Sequence, residues 1–279
     1  MIQYLQMLKR AVHRVTPARS VKRNYGDAER KRLARLPRYL AARTNLPGSM
    51  FIIPDAASFL ASWEEIFDRE IYDFKCSSQS PRILDCGANV GVSCLYFHRR
   101  FPNAKITAFE PDPFIFKYLK ENMDRAGVTN VELVKKAVWV SRTQLNFASE
   151  GSDAGRIDGG SEVKTIEVAT VRLRDYLNEQ IDLLKMDIEG AECDVMADIA
   201  PFLSNVLNIF VEYHSFTERP QKLDSLIKIL TEAGFRLQIH HMSVSPKPLV
   251  EVRSHLGMDM QLNIFAYRPA GKTIVSSLT

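Results

Sequence analysis

The feature that most constrains this chain is an alternation of short apolar runs with longer amphipathic ones between residues 82 and 267. Runs at 82–86, 105–110, 131–134, 183–187, 207–214, 235–240 and 262–267 have the length and the β-branched or aromatic content of strands. Segments at 92–99, 113–126, 191–203 and 221–233 space their apolar residues as helices do. Strands that alternate with helices predict an α/β fold, a parallel sheet with helices on both faces. A leading helix is expected at 57–67. Two further strands, 144–148 and 162–168, interrupt the alternation around a glycine-rich loop at 151–160.

The first strand runs into Asp85-Cys86-Gly87-Ala88-Asn89-Val90-Gly91, and a helix follows. Gly87 and Gly91 let the backbone approach a ligand closely, and the N–H groups of a helix start would face it. Asn89 occupies a position where glycine is common, and asparagine tolerates a positive φ. The next strand ends in Glu110, followed by Pro111. An acid there can accept both hydroxyls of a ribose, so strand, turn, helix, strand and acid together predict an adenosine-containing ligand. The spacing D-x-G-x-x-x-G differs from the G-x-G-x-x-G of dinucleotide sites. Asp85 would repel a pyrophosphate but attract an ammonium group, which favours S-adenosylmethionine over NAD.

In Leu183-Leu184-Lys185-Met186-Asp187 the side chains alternate, so Lys185 and Asp187 share a face. Charges inside an apolar strand are costly unless they pair or serve a site. Asp187 should end its strand at the carboxyl edge of the sheet, where open α/β folds bind ligands. Glu189 and Glu192 follow at a helix start, where the dipole favours negative charge. His214 closes a neighbouring strand at the same edge. Asp187, His214 and Lys185 are therefore the candidates for catalysis, with Asp187 or His214 as the base that takes a proton from a hydroxyl. Glu189, and Asp153 in the glycine-rich loop, are candidates for substrate contact, and Glu70 for the amino-acid end of the cofactor. The bland alternatives stay open: a buried ion pair for Lys185, helix-start carboxylates for Glu189 and Glu192, a structural role for His214. A metal held by Asp187, Glu189 and His214 is a further alternative, although their spacing matches no metal motif and none is assigned.

Three segments carry a resemblance to a known family: Ile83-Leu84-Asp85-Cys86-Gly87-Ala88-Asn89-Val90-Gly91, Ala108-Phe109-Glu110-Pro111, and the run from Asp182 to Glu192, which reads DLLKMDIEGAE. In this order they resemble the FkbM-type S-adenosylmethionine-dependent methyltransferases, over roughly residues 65–268. The resemblance implies the seven-stranded class I methyltransferase sheet, which is Rossmann-like, and methylation of a hydroxyl on a sugar, glycan or natural product. A small-molecule or glycan acceptor is then the expected partner. Rival readings are an NAD(P)-linked oxidoreductase, a methyltransferase of nucleic acid, and a non-enzymatic binding protein. The chain lacks the Asn-Pro-Pro-aromatic tetrapeptide of amino-methylating enzymes.

Charge separates the first 48 residues from the rest. They carry 12 Lys/Arg against only Asp27 and Glu29, a local charge of +10, while the remainder is net −6. Residues 1–48 are expected to form a basic helical arm, and 49–279 the methyltransferase domain. Ile2, Leu5, Leu8 and Val12 suggest one amphipathic helix, and Asp27 could cap a second one carrying Leu33, Leu36 and Leu40. Packing on its own domain or on a second copy of the chain, contact with a membrane surface, and a targeting role all remain open for this arm. Nucleic acid is disfavoured, because aromatics are sparse there and the body is acidic. The longest uncharged run, 199–211, is too short and polar to span a bilayer. The four cysteines form no metal or disulfide pattern, which fits a reducing, cytoplasmic setting, membrane-peripheral if the arm binds lipid.

Overall fold

The computed structural model describes residues 19–148, 156–157, 165–243, 247–254 and 257–269. The helix expected within residues 2–12 and Asp153 lie outside the described residues. The chain enters through helix α1 (Arg19–Leu33), an antiparallel hairpin of β1 (Ala42–Thr44) and β2 (Phe51–Ile53), and α2 (Ala56–Trp63). Asp55 caps α2 by accepting from the Ser58 backbone N–H, and α2 continues into a π-helical turn, Glu64–Asp68. Then follow β3 (Arg82–Cys86), α3 (Val92–Arg100), β4 (Lys105–Phe109), α4 (Pro113–Ala126) and β5 (Val131–Val134). The excursion comprises β6 (Ala137–Trp139), β7 (Gln144–Ala148), β8 (Arg156–Ile157) and β9 (Thr165–Arg172). The second half runs β10 (Leu183–Met186), α5 (Glu192–Ile199), β11 (Asn208–Phe216), α6 (Leu223–Glu232), β12 (Arg236–Ser243) and β13 (Met258–Tyr267).

Seven strands form the main sheet in the order β12-β13-β11-β10-β3-β4-β5. From β11 to β5 neighbouring strands are parallel, as expected, but β13 is antiparallel to both of its neighbours. No helix separates β12 from β13 among the described residues. A parallel return needs a crossover of a dozen or more residues, usually helical, whereas a plain loop returns the chain antiparallel. The excursion forms a second, four-stranded sheet, β6-β9-β7-β8.

Alternation along β3 and β10 divides the core in two. Ile83 and Leu183 pack on one face with Phe97, Leu119 and Met123, while Leu84 and Met186 pack on the other with Val195, Leu203 and Leu226. Asp85 and Lys185 lie on the first face, opposite each other in the β3–β10 register. The chain winds outward to β4 and β5 on one side of this pair and to β11 on the other. That makes the carboxyl ends of β3 and β10 the topological switch point of the sheet.

Residue 48, the expected end of the arm, falls between the two strands of the β1–β2 hairpin. Helix α1 runs through Asp27 and is not capped by it. Its last residue, Leu33, is fully buried in the first core, and Arg30 forms a bidentate pair with Asp68 at 2.5 and 2.7 Å. The helix stops before Pro37, whose ring disfavours helical backbone in the residue before it. The described part of the arm is therefore packed on the sheet domain. Among the described residues no helix is long and apolar enough to cross a membrane.

Candidate active site

The turn after β3 takes its shape from left-handed backbone at Gly87, Asn89 and Gly91, with φ of +88°, +48° and +92°. A Cβ on Gly87 would sit 1.9 Å from the carbonyl oxygen of Asp187, so only glycine lets the turn pass β10. A Cβ on Gly91 would strike Met123 at 2.5 Å, which brings α4 close beneath the turn. The N–H groups of Gly87 and Ala88 donate to Phe109 O at 3.0 and 2.9 Å, and that of Asn89 to Glu110 Oε2 at 3.0 Å. These amides fasten the turn to the end of β4. The other Glu110 oxygen accepts from Asp112 N–H at 2.9 Å, and Pro111 is half-buried between the two acids. Burial pushes the Glu110 carboxyl up to about 8 despite these two donors.

Asp85 is fully buried below the turn. Its Oδ2 accepts from Ser93 Oγ at 2.5 Å, while Oδ1 has no hydrogen bond and faces Lys185 Nζ at 3.3 Å. Lys185 donates to Gly87 O at 2.5 Å and lies 3.4 Å from Asp187 Oδ2. Burial pulls its ammonium down, but Asp85 and Asp187 outweigh burial and hold it well above the usual lysine range. Lys185 is thus a charged post between β3, β10 and the turn, the buried ion pair that was one of its two expected roles.

Beyond Lys185 a cavity of about 490 Å³ opens at the carboxyl edge of the sheet, lined by the turn, α2, Asp187, Glu189 and Glu212. His214 stands behind it with only 5% exposure. Its Nδ1 lies 3.0 Å from Glu192 Oε1, and its Nε2 lies 3.5 Å from Glu189 Oε2 and 3.7 Å from Glu212 Oε1. Burial pulls the imidazole down, but Glu189, Glu192 and Glu212 more than offset it and push it well above its ordinary value. Glu212 is raised to about 8, by burial and then by Asp187. Burial also raises Glu65, which faces the same cavity from the π-helical turn after α2. Glu189 holds a left-handed φ of +56°, and Glu192 pins the loop around it by accepting from the N–H groups of Ile188 and Gly190 at 3.2 and 3.0 Å.

Of the residues singled out from sequence, Asp187, Lys185, Glu189 and His214 converge here, and Gly87 and Asn89 border the same cavity. Glu110 lies on the far side of the turn, against Asn89. Glu70 is not brought to the site. It is exposed in a left-handed turn (φ +52°) beyond the π-helical segment, whereas Glu65, one turn earlier, lines the cavity. Glu212 and Gln261 were not foreseen. Glu212 shares a strand face with His214, two residues on, so the alternation that marked Lys185 and Asp187 also marked Glu212. Gln261 reaches the site only through the antiparallel pairing of β13 with β11, where it stands opposite His214.

Comparison with known proteins places this geometry. Residues 85–237, from Asp85 into β12, match the family described as the methyltransferase FkbM domain. The chain belongs to the FkbM methyltransferase family. It is an S-adenosylmethionine-dependent methyltransferase. Among its relatives, the methyltransferase sdnD of Sordaria araneosa is 29% identical over 49% of this chain and 67% of its own length. The 2-O-methyltransferase NoeI of Sinorhizobium fredii is 30% identical over 48% and 63%, and the hexuronic acid methyltransferase AglP of Haloferax volcanii 28% identical over 75% and 91%. The first curated relatives are thus matched over about two thirds of their length. The residues present suit a cationic methyl donor. Six carboxylates line the cavity against three cationic side chains, two of which, Arg38 and Arg69, are paired with Asp55 and Glu64 of the same wall. An anionic pyrophosphate would be repelled from such a cleft, whereas a sulfonium and an ammonium are attracted.

Proposed function

We propose that this FkbM-family chain methylates a hydroxyl of a sugar, glycan or glycolipid. The observation that carries this reading is the meeting of Glu65, Asp187, Glu189 and Glu212 around one cavity beside the glycine turn. Carboxyl groups accept hydrogen bonds when ionised and both donate and accept when protonated, so such a wall suits an acceptor rich in hydroxyls. The relatives named for 2-O-methylation and for hexuronic acid methylation favour the same acceptor class.

S-adenosylmethionine, when bound, supplies a methyl group on a positively charged sulfur. Gly87, Asn89 and Gly91 shape the turn that would hold it, with Glu110 and Pro111 placed to take its ribose and Asp85 behind the turn. Lys185 holds Gly87 and Asp187 in position. Asp187 and Glu189 orient the acceptor hydroxyl in line with the methyl group. Asp187 takes its single proton as the oxygen–carbon bond would form and the carbon–sulfur bond would break, its electron pair staying on sulfur. His214, with a carboxylate at each ring nitrogen, fixes Glu189 and Glu212 and is not the base.

The test is transfer of label from S-adenosylmethionine to a panel holding a hexuronic acid glycoside, a neutral hexose glycoside and a macrocyclic polyketide alcohol. Label is expected on a sugar hydroxyl, and Asp187→Asn should lower kcat by about a hundredfold or more, the usual worth of a proton acceptor. Label on the polyketide alcohol alone, or an unimpaired Asp187→Asn, would sink the proposal.

A further inference from the structure

Around His214 Nε2 stand two carboxylate oxygens, of Glu189 and Glu212, and the side-chain amide of Gln261. Glu192 Oε1 accepts from the backbone N–H groups of Ile188 and Gly190, at 3.2 and 3.0 Å, which fixes it as an acceptor. His214 Nδ1, 3.0 Å away, therefore carries a proton. A neutral ring so oriented turns the Nε2 lone pair towards Glu189 Oε2 at 3.5 Å and Glu212 Oε1 at 3.7 Å. Neither separation closes to the roughly 2.7–2.9 Å of a charge-assisted N–H···O contact, so no direct hydrogen bond ties Nε2 to either carboxylate. Ligands around a cation do stand this far apart: metal–oxygen bonds of ~2.1 Å set neighbouring ligands about 3 Å apart and opposite ones about 4 Å. Asp187, Glu212 and His214 each offer one ligand atom, and the three atoms lie within 4.8 Å of one another, so small side-chain shifts bring them onto a common ion.

We infer that Asp187, Glu212 and His214 bind a hard divalent cation of the magnesium or manganese class at the acceptor end of the cavity. Two carboxylates balance its charge, and a ligand set dominated by carboxylate oxygen selects hard ions. Glu192 supplies the carboxylate behind the histidine that orients its ring towards a metal. The Gln261 amide nitrogen lies against Glu212 Oε1 and 3.4 Å from His214 Nε2. Amide nitrogen and oxygen exchange places by a flip, and the flipped Gln261 offers its oxygen as a fourth ligand. Three or four protein ligands leave coordination positions for the acceptor hydroxyl, whose pKa the cation lowers. With Asp187 occupied as a ligand, Glu189 receives the proton. This catalytic role rests on the proposed reaction; binding of the cation does not.

The test is titration of the chelator-treated full chain with Mn²⁺, followed by electron paramagnetic resonance, with calorimetric titration of S-adenosylhomocysteine on the same preparation. One saturable Mn²⁺ per chain is expected, displaced by excess Mg²⁺ and showing coupling to one histidine nitrogen. Asp187→Asn, Glu212→Gln and His214→Gln should each weaken it at least tenfold. Asp175→Asn, which removes a surface pair with Arg142, should leave it unchanged. The nitrogen coupling is read on the unsubstituted chain, so the result stands even if a variant fails to fold. No saturable Mn²⁺, or saturation without nitrogen coupling, would overturn the inference while leaving the methyltransferase reading intact if S-adenosylhomocysteine still binds. Loss of S-adenosylhomocysteine binding with Mn²⁺ retained would overturn the donor-site assignment instead.

Discussion

Glu110 shows how one side chain can couple the donor site to pH. Its carboxyl, raised to about 8 by burial, is mostly protonated at neutral pH in the empty site. Ribose hydroxyls donate best to the ionised form, so below pH 8 binding must first remove a proton. Affinity should therefore climb as pH rises towards 8 and level off above it, by about tenfold between pH 7 and 9. The ligand to use is 5′-methylthioadenosine, which lacks a titrating amino-acid end. A flat profile for Glu110→Gln and a rising one for the parent chain is the expected pair; a flat profile in both would remove Glu110 from the ribose site. At this scale much of the site was legible. A lysine and an aspartate alternating within an apolar strand, and a strand that stops in an acid, are departures from pattern that only a site or an ion pair supports. Asn89 was legible because few residues adopt its φ of +48°. Glu65 and Gln261 were not, because nothing local marks them; they matter only through what the fold brings opposite.

Elements are set against one another by a few buried polar ties, and Asn122 is the clearest. It is fully buried on α4, yet its amide accepts from Ile52 N–H at 2.7 Å and donates to the carbonyls of Ile52 and Val90, both at 3.0 Å. One side chain thus joins α4 to the edge of β2 and to the glycine turn. Asn122→Leu keeps the number of side-chain heavy atoms but leaves three backbone groups without partners, at a cost of about 3 kcal/mol. The expected result is a lower urea midpoint with an unchanged m-value, accompanied by weaker S-adenosylhomocysteine binding because Val90 is released. Unaltered stability would show that water replaces the amide. The pattern of apolar residues revealed all seven strands of the main sheet and its helices, because a helix buries one face and a central strand such as β3 or β10 buries both; it missed the short β6 and β8. It could not reveal the insertion of β13 between β11 and β12, since pairing order depends on the connection and not on the pattern within a strand.

For the whole molecule, charge drew a boundary at residue 48 that packing does not follow. The first residues are basic, but the same stretch delivers Leu33 to the core, Arg30 to Asp68, and both Arg38 and the Tyr39 N–H to Asp55. Burial pushes the Asp55 carboxyl up, but its four donor groups, Arg38, Tyr39 and both polar groups of Ser58, prevail and hold it down at about 2. A carboxyl lowered from 3.8 stabilises the fold above that pH and loses its contribution as pH falls towards 2. Two of those four donors come from residues before 40. Deleting residues 1–40 should therefore cost more than Leu33→Ala alone, which itself should cost about 2–5 kcal/mol for a fully buried leucine. The deletion should also shift acid unfolding to higher pH, because the shortened Asp55 cluster retains only the Ser58 donors. Tyr39 and Arg38 line the cavity as well, so the shortened chain should bind acceptor less tightly than it binds S-adenosylhomocysteine. Equal urea midpoints and equal acid transitions for the full and shortened chains would instead make residues 1–40 an appendage, as their charge alone suggests. Charge records what faces solvent, and in this stretch the residues that decide the architecture are the few that do not.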